Sequence, residues 1–329
     1  MNVRQIGIDW RPDLSVFAKE SFLKAVGDEF GWLGGFSGSD ELRCILPYTV
    51  VRKVIFRMAR FRVETIAVSA DFGIPEEKEF LNGAMDLLRS LGVDMIIPAT
   101  TNTIFRTYPD GADAAPYGSY VIDLTQTEEA LWKGISPGTR RNIASAEKDE
   151  VIVRSGPEFL DLTYRLVRDT FKRSKLPFMS LESFRRYIAG LGENGKILVA
   201  EYRGVIQSAS VFAFSTPCVY AIYGGNLPEA RQGTMKLIQW EAMRHFRSLG
   251  VKRFDLVGAR IDPAKGSKQE SINAFKRYFG ATLIRGYMWK YPFRPLPYRL
   301  YGLATRVRSG GDIVDAERHK LEGFRPPDR

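Results

Sequence analysis

Cysteine and histidine are scarce in this chain, whose 329 residues hold two of each. Cys44 and Cys218 stand far apart, with no second cysteine at a metal-site spacing. That excludes a disulfide framework and a zinc site, and makes a reducing cytoplasm the expected compartment. With His245 and His319 the only histidines, no Ser/His/Asp or Cys/His nucleophile constellation is evident. Long apolar runs are missing as well. No stretch of about 18 uncharged apolar residues occurs, and the N-terminus lacks an apolar core behind a basic start, so neither a membrane span nor a secretory leader is expected.

What is present is an ordinary globular composition, 44% hydrophobic and 26% charged, at a length for which two domains is the default. The net charge of +10 favours an anionic partner, such as nucleic acid, a nucleotide pyrophosphate or an acidic membrane surface, or else serves solubility alone. Its distribution is uneven. From Leu42 to Val63 there are six basic residues and no acid, interleaved with apolar and aromatic positions. A strand with that alternation buries one face and offers cations on the other, which makes Arg52 and Arg57 candidate anion ligands.

The chain repeats itself internally. Arg89-Ser90-Leu91-Gly92-Val93 recurs as Arg247-Ser248-Leu249-Gly250-Val251, an offset of 247 − 89 = 158 residues. A Pro-Glu turn precedes each copy, at Pro75-Glu76 and Pro228-Glu229, and an extended run precedes each turn, at Val63–Val68 and Val219–Tyr223. Between turn and glycine lies an amphipathic helix, with Phe80, Ala84, Leu87, Leu88 and Leu91 on one stripe and Met235, Ile238, Ala242, Phe246 and Leu249 on the other. Each glycine sits where a left-handed C-cap is wanted, and a strand follows. The shared unit of strand, turn, helix, glycine stop and strand points to duplication.

The second half reads further as helix over 128–147 broken at Ser136-Pro137-Gly138, a strand over 151–154, helices over 158–172 and 181–191, and a hairpin turned at Arg203-Gly204. A short helix over 267–279 and a closing strand over 282–291 follow. Residues from 309 onward read as a mobile polar tail.

In that frame, Leu131-Trp132-Lys133-Gly134-Ile135-Ser136 with Thr139 to Lys148, then Tyr223-Gly224-Gly225, Gln239-Trp240-Glu241-Ala242, Phe254 to Ala259 and Phe275 to Gly280 resemble the signature series of the Fem family of nonribosomal peptidyl transferases. The CelD-like acyltransferases of exopolysaccharide clusters share the pattern. The resemblance covers roughly residues 128–290. It implies an α/β (α+β) fold of two tandem GNAT-like lobes, that is acyl-coenzyme A N-acyltransferase-like lobes, each a mixed central sheet flanked by helices. The expected division is a first lobe over 1–127, completed by about 285–308, a second over 128–284, and a tail over 309–329. Nothing in the sequence has the length or heptad pattern of the helical arm that many Fem enzymes carry.

The implied activity is acyl transfer to an amine. The donor is aminoacyl-tRNA or, alternatively, acyl-coenzyme A, and no cofactor or metal is bound. The implied acceptor is a nucleotide- or lipid-linked cell-envelope precursor such as that of peptidoglycan, handled in the cytoplasm. The basic, aromatic segment Arg294 to Tyr301 either lies peripherally on the inner membrane or packs on the first lobe. By resemblance Lys276 faces the reaction channel, where its charge meets an oxyanion or phosphate. Tyr223 is a proton donor to the leaving group, and Gly224-Gly225 let a main-chain N–H approach the carbonyl. Asp255 or Glu241 accepts the amine proton. Arg140 and Arg141 stand at a helix start that suits phosphate, and Trp240 belongs to the same signature. Gln232-Gly233-Thr234 lacks the glycine pattern of a coenzyme A pyrophosphate loop.

Overall fold

The computed structural model describes residues 1–53 and 55–322. The first half of the chain runs β1 (Asn2–Ile6), α1 (Glu20–Val26), β2 (Glu29–Phe36), β3 (Leu42–Lys53), β4 (Phe56–Phe61), β5 (Ile66–Ala67), α2 (Ile74–Ser90), β6 (Met95–Ile96) and β7 (Asp113–Asp123). The second half opens with α3 (Glu128–Gly134) and α4 (Pro137–Lys148), where Ser136 caps α4 and Pro137 takes its first turn. It continues with β8 (Ile152–Ser155), α5 (Leu160–Arg173), α6 (Leu181–Leu191), β9 (Gly195–Tyr202), β10 (Val205–Ser215), β11 (Cys218–Asn226), α7 (Thr234–Ser248), β12 (Arg253–Asp255), β13 (Ala259–Arg260), α8 (Lys268–Arg277), β14 (Thr282–Pro292), α9 (Pro295–Ser309) and α10 (Ile313–Glu322).

The described strands form one sheet in the order β1-β2-β3-β4-β6-β14-β7-β12-β11-β10-β9-β8, with β5 beside β3 and β13 beside β7. Each half is an antiparallel meander closed by a parallel crossover. In the first, β4 leads through α2 to β6; in the second, β11 leads through α7 to β12. These are the two parallel pairs among the described residues, and each contains one copy of the sequence repeat. The predicted helix stops are present. Gly92 and Gly250 have φ of 74° and 75°, a left-handed conformation that costs glycine no Cβ clash. One expected strand is displaced: the extended run Val63–Val68 contributes only the short β5, and the strand that enters the crossover is β4, further upstream.

The seam between the halves is a strand exchange. β7, which follows the first crossover, pairs with β12, β13 and β14, while β14 reaches back to β6 at Tyr291–Ile96. The boundary expected after residue 127 therefore falls beyond a strand already hydrogen-bonded into the second half. An apolar cluster also bridges the halves. Phe17 packs on Tyr220 at 4.9 Å and Phe22 edge-on to Tyr187 at 5.2 Å. Full burial of each phenylalanine is worth about 2–3 kcal/mol. At the α1–α6 crossing, a Cβ added at Gly190 would meet the Ala25 Cβ at 2.5 Å, so glycine is what allows the helices so close.

The fold is thus GNAT-like, a mixed central sheet shared by both halves and flanked by helices. Among the described residues no helix is long and apolar enough to cross a membrane. The tail expected from residue 309 begins instead with ordered α10, anchored by buried Val314 and by Lys290, whose Nζ bonds Asp312 at 2.8 Å and Asp315 at 2.6 Å. Residues 323–329 of that tail lie outside the described residues.

Candidate active site

Both crossovers open in the same way. β4 and β6 pair at Met58–Met95 and Ala59–Ile96, after which β4 continues to Arg60 and Phe61. β11 and β12 pair at Val219–Phe254 and Tyr220–Asp255 and then part. In β11 a bulge follows: Val211 faces Tyr223 and Phe212 faces Ala221, so Ile222 has no opposite number. An extra residue bends a strand and re-aims its side chains, and here both Ile222 and Tyr223 reach the same space. The cleft between the halves, about 590 Å³, is lined on one side by Arg60, Arg62 and Thr101, and on the other by Phe171, Tyr187 and Tyr223.

Its first wall is cationic, although Asp28 also lines the cleft and the charge of Asp312 reaches Arg60. Neither Arg60 nor Arg62 has a carboxylate salt bridge among the described residues. The Arg60 Nε is buried with no hydrogen-bond partner, and burial lowers the proton affinity of its guanidinium. Arg62 Nε donates to Thr49 Oγ1 at 3.1 Å and Nη2 to the Val26 carbonyl at 2.7 Å. Burial, and then the charge of Arg60, push it down to about 9, so it stays charged at neutral pH. The Asn102 side chain donates to the Arg62 carbonyl at 2.8 Å and fixes this end of the chain. Two guanidinium groups without carboxylate partners in a partly dry cleft can receive an anion, because a buried charge lacking a counter-ion is costly and an incoming anion relieves it.

On the opposite wall Tyr223 is enclosed by Phe178 at 5.2 Å and Tyr187 at 5.8 Å. Burial pushes its phenol up to about 12, although Arg62 and Arg60 favour the phenolate, so it is a proton donor at neutral pH.

Behind the cleft lies a strained turn. Val257 has φ of 42° and Gly258 of 47°, and a β-branched residue there is a true outlier. Lys276 holds it: its Nζ donates to the carbonyls of Val257 and of Gly258, the latter at 2.5 Å. Asp255 accepts the Val257 N–H at 2.7 Å and a hydrogen bond from the Ser119 hydroxyl. The Gly258 N–H donates to the carbonyl of Thr101, which lines the cleft. Burial lowers the Lys276 pKa to about 8, with Asp255 opposing, and raises Asp255 above its ordinary value. Lys276 and Asp255 therefore hold the same turn, one layer behind the cleft that Tyr223 lines.

The other predicted residues are occupied elsewhere. Arg140 Nη1 donates to the carbonyls of Trp132, Lys133 and Ile135 at 3.3, 3.0 and 2.9 Å, capping the end of α3, so its fork is turned away from a ligand at the start of α4. Arg141 is exposed on α4. Trp240 packs on Trp132 at 4.9 Å in the core, and Glu241 pairs with Arg244 at 3.1 Å. Gly225 is a packing glycine, since a Cβ there would strike the α5 main chain at Leu166 and Val167; Gly224 is exposed. Arg52 and Arg57 both clasp Glu29, at 2.6 and 2.8 Å, and hold its carboxyl below the usual range, Arg52 first.

Sequence reasoning named the basic run but singled out Arg52 and Arg57, which Glu29 occupies, whereas Arg60 and Arg62 line the cleft. Arg60 and Arg62 stand two apart, as one face of an extended chain requires, and that spacing was the available signal. Glu64, which does not line the cleft, is raised by burial to about 7 beside Arg253 at 3.9 Å.

Residues 138–277 match the family model described as acetyltransferase (GNAT) domain. The chain is an acyltransferase of the GNAT fold. The crystal structure of FemX superposes with a TM-score of 0.66 at 12% identity, covering 91% of this chain and 99% of that one. A conserved protein of unknown function from Bacteroides thetaiotaomicron gives 0.53 at 10%, covering 85% and 90%. The C-terminal domain of a putative lysylphosphatidylglycerol synthetase from Agrobacterium fabrum gives 0.51 at 14%, covering 90% and 95%. At such identities the likeness is one of fold. No curated protein matches in sequence.

Proposed function

We propose that this acyltransferase moves an aminoacyl group from charged tRNA onto an amine of an anionic cell-envelope precursor seated in the cleft. The observation that carries this reading is the pair Arg60 and Arg62, charged, without carboxylate partners, and facing the Tyr223 phenol across the cavity. The lobes flanking the cleft are residues 1–127, completed by 285–308, and 128–284, with β7 and β14 exchanged along the seam.

The two guanidinium groups hold the phosphate or carboxylate of the acceptor and fix its amine near the splayed end of β11. The neutral amine attacks the ester carbonyl; the new C–N bond forms, the tetrahedral oxyanion collapses, and the C–O bond to the tRNA ribose breaks. Tyr223 protonates the departing ribose oxygen, and the proton of the attacking amine is released to solvent through the open cleft. Lys276 and Asp255 are positioning residues that keep the Val257–Gly258 turn in its strained form against Thr101. Transfer RNA is favoured over coenzyme A by the start of α7, where a coenzyme A transferase holds its pyrophosphate. There Gly233 lies so close to α4 that a Cβ would strike the Asn142 carbonyl.

A second reading, a coenzyme A-dependent N-acyltransferase of exopolysaccharide synthesis, is favoured by the description of the matching family model. Offering charged tRNA and acyl-coenzyme A separately, with envelope precursors as acceptors, decides between them. Turnover with charged tRNA that ribonuclease abolishes and Arg60→Met weakens is the expected result. Consumption of thioester alone transfers the assignment to the second reading, and turnover indifferent to Arg60→Met removes the cleft from the mechanism.

A further inference from the structure

Helix α9 carries its apolar stripe on the outside. Leu296, Leu300, Leu303 and Val307 follow one another at spacings of 4, 3 and 4, which at about 100° per residue confines them to an arc of roughly 60°. They are 69%, 46%, 61% and 83% exposed. The side that packs on the protein is the opposite one, where Tyr298 and Tyr301 cover Phe56, Met58, Met95 and Ile97. A surface helix ordinarily buries its apolar face and shows its polar one, so a helix with tyrosines inward and leucines outward has a second apolar contact to make. No acidic residue occurs from 294 to 311, and exposed Arg299 and Arg306 flank the stripe along one edge. Phe56, at the start of β4, packs in the same cluster as Tyr298 and Tyr301, and the preceding Ile55 is 77% exposed.

A second copy of the chain is a poor occupant. Two such faces would set arginine edge against arginine edge, and one row of four side chains falls well short of the roughly 1,200–2,000 Å² of a stable interface. An anionic lipid surface meets both features, since apolar side chains enter the boundary of the acyl region while guanidinium groups stay among the phosphates.

We propose that α9 is an interfacial helix that docks the protein on anionic membranes, with Ile55 ahead of β4 as a second point of contact. The consequence for the active site is geometric. Tyr301, on the inner face of α9, feels the charge of Arg60, which lines the cleft. Docking through the outer face therefore sets the anion-binding wall about one helix diameter, ~10 Å, from the headgroup layer. An acceptor carried by the bilayer reaches the cleft without leaving the interface.

The test is flotation of the full chain with vesicles of phosphatidylcholine alone or with about 30% phosphatidylglycerol, at low and high salt. Partitioning onto the anionic vesicles should exceed that onto neutral ones by about tenfold or more and weaken with salt. Leu296→Ser, Leu300→Ser, Leu303→Ser and Val307→Ser combined should lose most of it, Arg299→Glu with Arg306→Glu likewise, and both variants should keep wild-type transfer to a water-soluble acceptor. Undiminished vesicle binding by the serine variant overturns the proposal, as does a wild type that ignores anionic vesicles. A light-scattering dimer that the serine variant makes monomeric gives the stripe to a second copy and overturns it too. Vesicle binding is independent of turnover, so a failure of the catalytic reading leaves this result standing.

Discussion

The two halves reach the cleft from equivalent places in equivalent crossovers, and they bring opposite equipment. Where β4 leaves β6 the chain supplies Arg60 and Arg62; where β11 leaves β12 it supplies Ile222 and Tyr223. The helices that follow differ in the same sense. α2 starts with Glu76 and Glu77, and Glu76 bonds the Gly73 N–H at 3.1 Å, so its positive end is satisfied from within. α7 has no acid in its first turn and is instead pressed by α4. The backbone opening is thus the same in both halves, while the side chains differ, two guanidinium groups from the first half and a phenol from the second.

Lys276→Met offers the largest way to break that comparison. It leaves two turn carbonyls without their donor and Asp255 without its neighbouring charge, at about 2–4 kcal/mol. Urea denaturation should show that loss, whereas Arg60→Met, which removes an unpaired buried charge, should leave the midpoint unchanged or raised. Equal losses would make Arg60 structural and erase the distinction between the walls. In transfer assays the same Arg60→Met should lower kcat/KM by about 10–100-fold, the scale of one charge-assisted contact. Tyr223→Phe should lower kcat with little change in KM. A KM effect from Tyr223 and none from Arg60 would reverse the assignment.

The pH dependence sharpens the contrast, because each half holds a buried group displaced toward neutrality. Glu64 has its pKa raised from 4.5 to about 7, so the folded state binds the extra proton. Its contribution to stability is present below about 4.5 and lost as pH rises to about 7, amounting to about 1–2 kcal/mol after solvent screening. Lys276 is lowered from 10.5 to about 8, so between those values the unfolded state binds more protons and stability rises with pH. Thermal melts across both windows should show opposite slopes, the first flattened by Glu64→Gln and the second by Lys276→Met. The smallest test concerns the repeat itself. Gly92→Ala and Gly250→Ala should each cost about 1 kcal/mol, with Gly92 the costlier, because a Cβ there would also meet the Arg57 guanidinium at 2.9 Å.

Much of this was open to reading. The amphipathic stripe of α2 and α7, the glycine stops, the break at Ser136-Pro137 and the turn at Arg203-Gly204 follow from short-range sterics, so the sequence carries them directly. The resemblance placed the GNAT-like lobes for the same reason, since it rests on strings lying within single elements. Arg140 was misread because a guanidinium beside a helix start looks the same in sequence whether it awaits a phosphate or caps the preceding helix. Arg60 and Arg62 could not be told from Arg52 and Arg57, since only Glu29, arriving from the next strand, neutralises the latter pair.

The sequence by itself determined the elements, the duplication and the excess of positive charge, all of which depend on neighbours within a few residues. Only the tertiary structure decided which cations stay unpaired, that a bulge turns Ile222 and Tyr223 toward them, that β7 and β14 change places, and that α9 shows its leucines to the outside. Each of these depends on which distant segment arrives alongside, and a buried charge or an exposed stripe has no meaning until that neighbour is in place.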